Sequence, residues 1–280
     1  MSDDALSPRD PVEALLARTP ARAAVGRAGP AYRTATWLKL REDHAAARDA
    51  VHAEVDLLRD FGGERVARFA LFDVRTCATS KAEYLRRPDL GRKLDDDSRE
   101  VVRGSCPRER DLQVVIGDGL SATAVAAQAP GLLDRLHAAA ADRGWSFGRP
   151  FLVRYCRVGV MNDVGDLLAP AVLALLVGER PGLATAESLS AYLAYRPRAG
   201  HTDADRNLVS NVHARGVGLD EAARRNVSRT VETVLGESRA LAGLARDGRL
   251  LVVGAMYDVA TGGLEFLADA GDPARPPTAA

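Results

Sequence analysis

Apolar positions along the chain change their period near residue 110. Between residues 11 and 99 they recur roughly every three to four positions, the spacing of one helix face. DPVEALLARTPARA opens with Asp-Pro, which suits the first turn of a helix. TATWLKLREDHAAARDAVHAEVDLLRDFG carries the same spacing and ends at Gly62-Gly63, a helix C-cap. Between these two lies VGRAGPAYRT, where Gly26, Gly29 and Pro30 punctuate a loop. TSKAEYLRRPDLGRKLDDDSREVVRG is a second helix-rich stretch, broken at Pro88.

From Asp111 onward, short apolar runs alternate with helical patterns. DLQVVIGD, PFLVRYCRVGV, PAVLALLVGE, AYLAYRP and RLLVVGAMYDV read as strands. Helices are predicted over GLSATAVAAQAPGLLDRLHAAAADRG after its opening loop, over NDVGDLLA and from LDEAARRNVSRT onward. RPGLATAESLS reads as a loop with a helical start, and TDADRNLVSNVHARG as a polar loop. Strands that are apolar throughout and alternate with helices predict a mostly parallel sheet covered on both faces. The expected fold is therefore α/β: a Rossmann-like, doubly wound sheet over residues 101–280, behind a helical N-terminal region over 1–100.

Composition narrows the function classes. The 280 residues carry 38 Lys plus Arg and 38 Asp plus Glu, so the formal net charge is zero. A neutral chain with few aromatic residues offers neither the basic surface nor the stacking platform that nucleic acid requires. No stretch reaches the roughly 18 uninterrupted apolar residues of a membrane span, and the polar start lacks a signal core. A cytoplasmic protein is expected. Cys77, Cys106 and Cys156 are far apart and form no C-x-x-C pair, so they read as three reduced, partly buried thiols.

In an open parallel sheet, ligands bind beyond the carboxyl ends of the strands. Three such ends carry informative residues: Asp118, Gly119 and Ser121; Arg157, Val158 and Asn162; and Glu179, Arg180 and Gly182. If the strands are parallel, these loops share one rim. Two glycines around Asp118 let backbone approach a ligand closely, and Ser121 can cap the next helix. Each feature also has a purely structural reading. G-D-G-L-S lacks the spacing of the dinucleotide fingerprint G-x-G-x-x-G. Glu179 can pair with Arg180 or another arginine, and Asp205 with Arg206 fits a surface pair. Asn211-x-His213-x-x-Gly216 is one residue away from the D-x-H-x-x-G pattern that ligates cobalt in some cobalamin proteins. Without the Asp, nothing obvious orients the imidazole for ligation; the other reading is a His213 that hydrogen-bonds a loop.

The strings VGRAGP at 25–30, YLRRPDLGRKL at 84–94, DLQVVIGDGLSATAV at 111–125, PFLVRYCRVGV at 150–160, LLVGERPGLATAESLSAYLAYRP at 175–197 and ADRNLVSNVH at 204–213 resemble the ethanolamine ammonia-lyase small subunit. They follow that family's order and cover roughly 25–215. The resemblance implies a hetero-oligomer with a large subunit that holds ethanolamine and most of the reacting groups. It implies adenosylcobalamin sandwiched at the subunit interface, with the cofactor's own benzimidazole kept on cobalt. It assigns cofactor contacts in this chain to Val158, Glu179 and Leu208, and neither a catalytic nor a metal-ligating residue. Val158 would supply an apolar wall, and Glu179 an acceptor for a corrin amide N–H. Where this chain has Leu208 the family often has Cys, so the contact there would be apolar. Encapsulation in a bacterial microcompartment is a second location left open.

The segment from about 220 to 267 is similar to the last helix and strand of β-class carbonic anhydrases. Its strand could add an edge to the sheet. Neither Cys-x-Asp-x-Arg nor His-x-x-Cys occurs in the chain, so a zinc hydratase has no recognisable site. A stand-alone cobalamin-binding or carrier module is the alternative to the lyase subunit.

Overall fold

The computed structural model describes residues 27–182 and 185–223, together with the backbone of two later strands, Gly254–Tyr257 and Leu264–Leu267. The helix predicted over residues 11–24 and the helical pattern beyond residue 223 lie outside the described residues.

The fold grows around one strand. LQVVIG is buried at every position and forms β4, Leu112–Gly117. The same is true of VLALLVG, which forms β6, Val172–Gly178. Strands that are apolar on both faces need cover on both, and they receive it. The six-stranded sheet has the order β3 (Asp73–Arg75), β5 (Phe151–Arg154), β4, β6, β7 (Leu189–Tyr195), β8 (Arg206–Val212). β3 precedes β4 in the chain and follows a small hairpin, β1 (Arg27–Ala28) with β2 (Ala31–Tyr32).

Among the described residues, seven helices accompany these strands. They are α1 (Thr34–His52), α2 (Leu57–Phe61), α3 (Gly63–Phe69), α4 (Lys81–Arg86), α5 (Asp96–Ser105) and α6 (Ala122–Asp142); α7 (Val160–Leu168) follows β5. One face of the sheet packs Val114, Ile116, Leu152 and Leu176 against Val125, Leu132, Leu133 and Leu136 of α6. The other face packs Val115, Val153 and Leu175 against Val160, Met161 and Val164 of α7 and Val102 of α5.

The first four strands of this order run parallel, in the register Ile116↔Leu152 and Ile116↔Leu176. β7 runs antiparallel to β6, and β8 antiparallel to β7. The architecture is thus α/β with a mixed sheet, and its last two strands depart from the doubly wound pattern expected from sequence. Chain length is the reason. Ten residues separate β6 from β7 and ten separate β7 from β8. A parallel crossover needs roughly a dozen or more.

Two strands of the six-stranded sheet were not expected, nor was the hairpin β1–β2, whose stretch read as a loop, nor the strand Leu264–Leu267. β8 falls in the stretch read as a polar loop, and β3 lies in the region read as helical. β8 is a half-exposed edge strand whose inward residues are Val209 and Val212, so its apolar content is low. β3 is three residues long, too short for a period to show. Conversely, PFLVRYCRVGV is extended only to Arg154; residues 155–159 turn into α7. The long helical pattern over 34–62 divides into α1, α2 and the start of α3 at the extended residues 53–56 and the positive-φ Gly62. The strand Gly254–Tyr257, β9, does not extend the six-stranded sheet. It pairs antiparallel with β10, Leu264–Leu267, in a separate ladder.

Glycines let the strand ends meet. Gly119 has φ +57°, and a Cβ there would press into the backbone of Gly178. A Cβ on Gly178 would collide with the carbonyl of Ser121. The glycines beside Asp118 therefore admit neighbouring protein, not ligand: Leu120 N–H donates to the Gly178 carbonyl at 3.0 Å. Gly178→Ala should destabilise the chain by about 2 kcal/mol or more, since the clash is with backbone that cannot rotate away. Urea denaturation of the purified protein checks this; wild-type stability would contradict the packing.

Candidate functional site

Glu179 follows the last residue of β6, and its carboxylate ties three strands together. Oε2 accepts from the Ser188 hydroxyl at 2.6 Å, and Oε1 accepts from the Ser190 hydroxyl at 2.6 Å. Oε1 also accepts the backbone N–H of Asn211 at 3.0 Å. That N–H is available because β8 carries a bulge. Leu189 faces Val212 while Ala191 faces Val209, so β8 holds one residue more than β7 between these pairs. Asn211 takes φ +62°, a conformation asparagine tolerates better than most residues. None of the partners is an arginine, contrary to the simplest reading of the sequence. A carboxylate has about four lone-pair sites, so three donors leave one free.

The bulge continues into a tight loop built by the Asn-x-His-x-x-Gly motif. His213 is 4 % exposed. Its Nδ1 accepts the Arg215 N–H at 3.2 Å, which places the ring proton on Nε2. Nε2 then donates to Asn211 Oδ1 at 2.8 Å. Asn211 thus orients the imidazole that the sequence left without a partner. A side chain at Gly216 would strike both Asn211 and the His213 ring. Both ring nitrogens are used, so in this geometry His213 closes a loop and does not ligate metal. Burial is the main cause that lowers its pKa, with Arg215 adding to it.

At the neighbouring strand ends a second buried group sets the geometry. Asp118 is 3 % exposed, and its Oδ1 accepts the Cys156 N–H at 2.9 Å. Burial raises the pKa of Asp118, against the opposing pull of Lys81 and backbone N–H groups. Lys81 Nζ, at the start of α4, lies 3.6 Å from Asp118 Oδ2 and donates to the Gly119 carbonyl at 3.2 Å. Tyr84, fully buried on α4, donates its hydroxyl to the Cys156 carbonyl at 2.9 Å, and Arg157 stacks on its ring at 4.3 Å. The segment YLRRPDLG thereby braces the turn that follows β5. Ser121 caps α6 as expected, accepting from Ala124 N–H at 3.1 Å. Cys77, Cys106 and Cys156 are free thiols with raised pKa values, Cys106 at about 11, mainly through burial.

These supports frame a cleft of about 360 Å³. Val158 from the turn after β5, Glu179 from the end of β6 and Leu208 from β8 all line it, with Tyr192 and Ser190 of β7. The cleft lies where Ser190, Tyr192, Leu208 and Ser210 point to the same face of the sheet as α5 and α7. On that face of β8 Leu208 and Ser210 are exposed, Leu208 by 40 %. Ser188, Ser190 and Asn211 were not expected as partners of Glu179. The one legible signal was the period-two spacing of Ser188 and Ser190, which puts both hydroxyls on one face of a strand. Asp205 and Arg206 are not a surface pair. Asp205 accepts from Thr202, while the Arg206 side chain is 4 % exposed and pairs with Asp203.

Fold and cleft define an α/β chain with an open, one-sided cleft on the edge of its sheet. Among the described residues no helix is long and apolar enough to cross a membrane, and no cluster of three or more His, Cys, Asp or Glu side chains could hold a metal ion. A family model described as ethanolamine ammonia-lyase light chain (EutC) matches residues 9–243. Proteins named ethanolamine ammonia-lyase small subunit are similar to this chain. The one from Clostridium perfringens is 40% identical over 219 residues, 78% of this chain and 72% of the relative. That from Xanthomonas campestris pv. campestris is 43% identical over 230 residues, 80% of this chain and 84% of the relative. That from Bradyrhizobium diazoefficiens is 44% identical over 224 residues, 80% and 85% respectively. The chain belongs to the ethanolamine ammonia-lyase light chain family. The match reaches residue 243, so part of the segment likened to carbonic anhydrase lies inside the family's own span.

Two outcomes test this geometry. Glu179→Ala should cost about 1–3 kcal/mol of stability, because two hydroxyls and a backbone N–H lose a charged acceptor; Glu179→Gln should recover part of it. Calorimetry of both variants decides, and an Ala variant as stable as wild type would remove Glu179 from its role. The second concerns pH. His213 has a folded pKa below the ordinary value of 6.5. Its neutral form therefore contributes stability that is fully present above pH 6.5 and is lost as pH falls through the folded pKa. Wild type should lose melting temperature over that window relative to His213→Gln; parallel pH profiles would contradict it.

Proposed function

We propose that the chain is the cofactor-side half of an adenosylcobalamin-dependent ethanolamine ammonia-lyase. Family membership makes it the small subunit of a hetero-oligomeric ammonia-lyase, whose name implies a large partner. The finer reading concerns the cofactor and its place. One observation carries it: Val158, Glu179 and Leu208 come from three separate stretches of sequence and line one open cleft.

The cleft suits a corrinoid edge in its donor set. Val158, Leu208 and Tyr192 give apolar surface, while Ser190, Ser210 and the free lone pair of Glu179 suit neutral amides. Its volume takes the edge of a macrocycle and not the whole, so a second protein must close over the remainder. When bound, adenosylcobalamin supplies the radical chemistry that converts ethanolamine to acetaldehyde and ammonia. This chain's residues bind and orient. The β6–β7–β8 edge, fixed by Glu179, presents the wall, and the turn at 156–158, fixed by Asp118 and Tyr84, presents the rim. Leu208 makes its contact through apolar surface alone. The same reading sets the complex in the cytoplasm, with encapsulation in a microcompartment as a further step.

The chain should be co-expressed with the large subunit and titrated with adenosylcobalamin, following the cofactor's absorption spectrum. Val158→Asp and Leu208→Asp should each weaken binding by about 1–3 kcal/mol, the scale of a charge set against an apolar contact. The complex should release acetaldehyde from ethanolamine only with cofactor present. Acetaldehyde production by this chain alone, or corrinoid affinity unchanged by both substitutions, would overturn the proposal. Tight corrinoid binding by the isolated chain would favour a carrier instead.

A further inference from the structure

A second and larger cleft, of about 890 Å³, adjoins the first; Arg157 and Val158 line both. Its charged lining comprises five cations, Arg92, Lys93, Arg99, Arg157 and Arg206, and three carboxylates, Asp163, Asp166 and Asp203. The carboxylates are committed. Asp163 accepts the Leu94 N–H at 2.9 Å and pairs with Arg99, and Asp166 accepts the Ala199 N–H at 3.1 Å. Asp203 pairs with Arg206. Among the described residues, Arg92, Lys93 and Arg157 have no carboxylate within ion-pair distance.

The unpaired polar atoms point the same way. Arg157 Nε, Arg206 Nε and His201 Nδ1 are buried without a hydrogen-bond partner, and all three residues line this cleft. Arg206 is the most constrained. Its side chain is 4 % exposed, and one terminal nitrogen donates to Asn162 Oδ1 at 3.0 Å, yet Nε has nothing to donate to. A buried donor without an acceptor is costly and uncommon in folded proteins. Guanidinium donors and excess positive charge around a recess are suited to an oxyanion with several oxygens, above all a phosphate group.

We infer that this second cleft is a phosphate site. The inference deepens the reading of the first cleft and rests on it for the source of the phosphate. Cobalamin carries a phosphodiester in its nucleotide loop, and a ligand seated against Val158 can extend past Arg157 into the adjoining recess. Arg206 and Arg157 would supply N–H donors, while Arg92 and Lys93 add charge from the exposed rim.

The test uses the complex with the large subunit and two sets of substitutions. Arg206→Gln removes the buried guanidinium. Arg92→Gln with Lys93→Gln removes two exposed charges and leaves the fold intact. Three ligands are titrated: adenosylcobalamin, adenosylcobinamide, which lacks the nucleotide loop and its phosphate, and inorganic phosphate followed by phosphorus NMR. Adenosylcobalamin affinity should fall roughly tenfold in each variant, the scale of one lost charge-assisted hydrogen bond. Adenosylcobinamide affinity should be unchanged, and inorganic phosphate should bind wild type and not the variants. Loss of phosphate binding with both corrinoids unaffected would support the site and assign it to free phosphate. Equal losses for both corrinoids, or no loss for any ligand, would overturn the inference. A wild-type complex that binds phosphate but ignores both corrinoids would refute the functional reading and leave the anion site standing.

Discussion

The carboxylate of Glu179 joins the ends of β6, β7 and β8, and the shape of the cleft depends on that junction. β7 and β8 turn antiparallel at the edge of a parallel sheet, and Leu208 and Ser210 of β8 are left exposed. Something other than packing must fix where their ends lie. Here it is one anion with three donors, two of them hydroxyls spaced two residues apart, on Ser190 of β7 and on Ser188 just before it. The bulge in β8 supplies the third. Without the bulge, the Asn211 N–H would be spent in the ladder; without Glu179, the bulge would leave that donor unpaired. Strand irregularity and charged acceptor therefore explain each other.

The same economy runs along the rest of the rim. Asp118 holds the turn after β5 through the Cys156 N–H, and Lys81 and Tyr84 reach from α4 to secure that arrangement. Cleft lining and its support come from different parts of the chain. Val158, Leu208 and Tyr192 face the cleft, while Asp118 and His213 are buried behind it and serve through others. The family's small-subunit name implies a large partner subunit.

Much of this was legible before the structure. β4 and β6 announced themselves as uninterrupted apolar runs, α6 followed from its period, and the three strand ends with chemistry did come to one rim. Ser121 was read correctly as a cap. What escaped was set by long-range pairing. β8 has a polar, loop-like composition because only Val209 and Val212 face the core, and β3 is too short to carry a pattern. The antiparallel turn of β7 was foreseeable from the ten-residue connection, which leaves no room for a crossover helix. Glu179's partners could not be deduced, because they depend on the bulge register, and hydrophobic periodicity carries no information about it. The burial of Arg206 was hidden for the same reason: its position in sequence looked like an exposed turn.

The central claim is that this edge of the sheet is half of a cofactor pocket completed by another subunit. Hydrogen exchange, followed by mass spectrometry on the assembled complex with and without adenosylcobalamin, examines it directly. The account predicts that the cofactor slows exchange in residues 155–160, 188–192 and 206–212, and leaves α6 on the opposite face of the sheet unchanged. Exchange unaltered in those three segments, or slowed chiefly in α6, would contradict it.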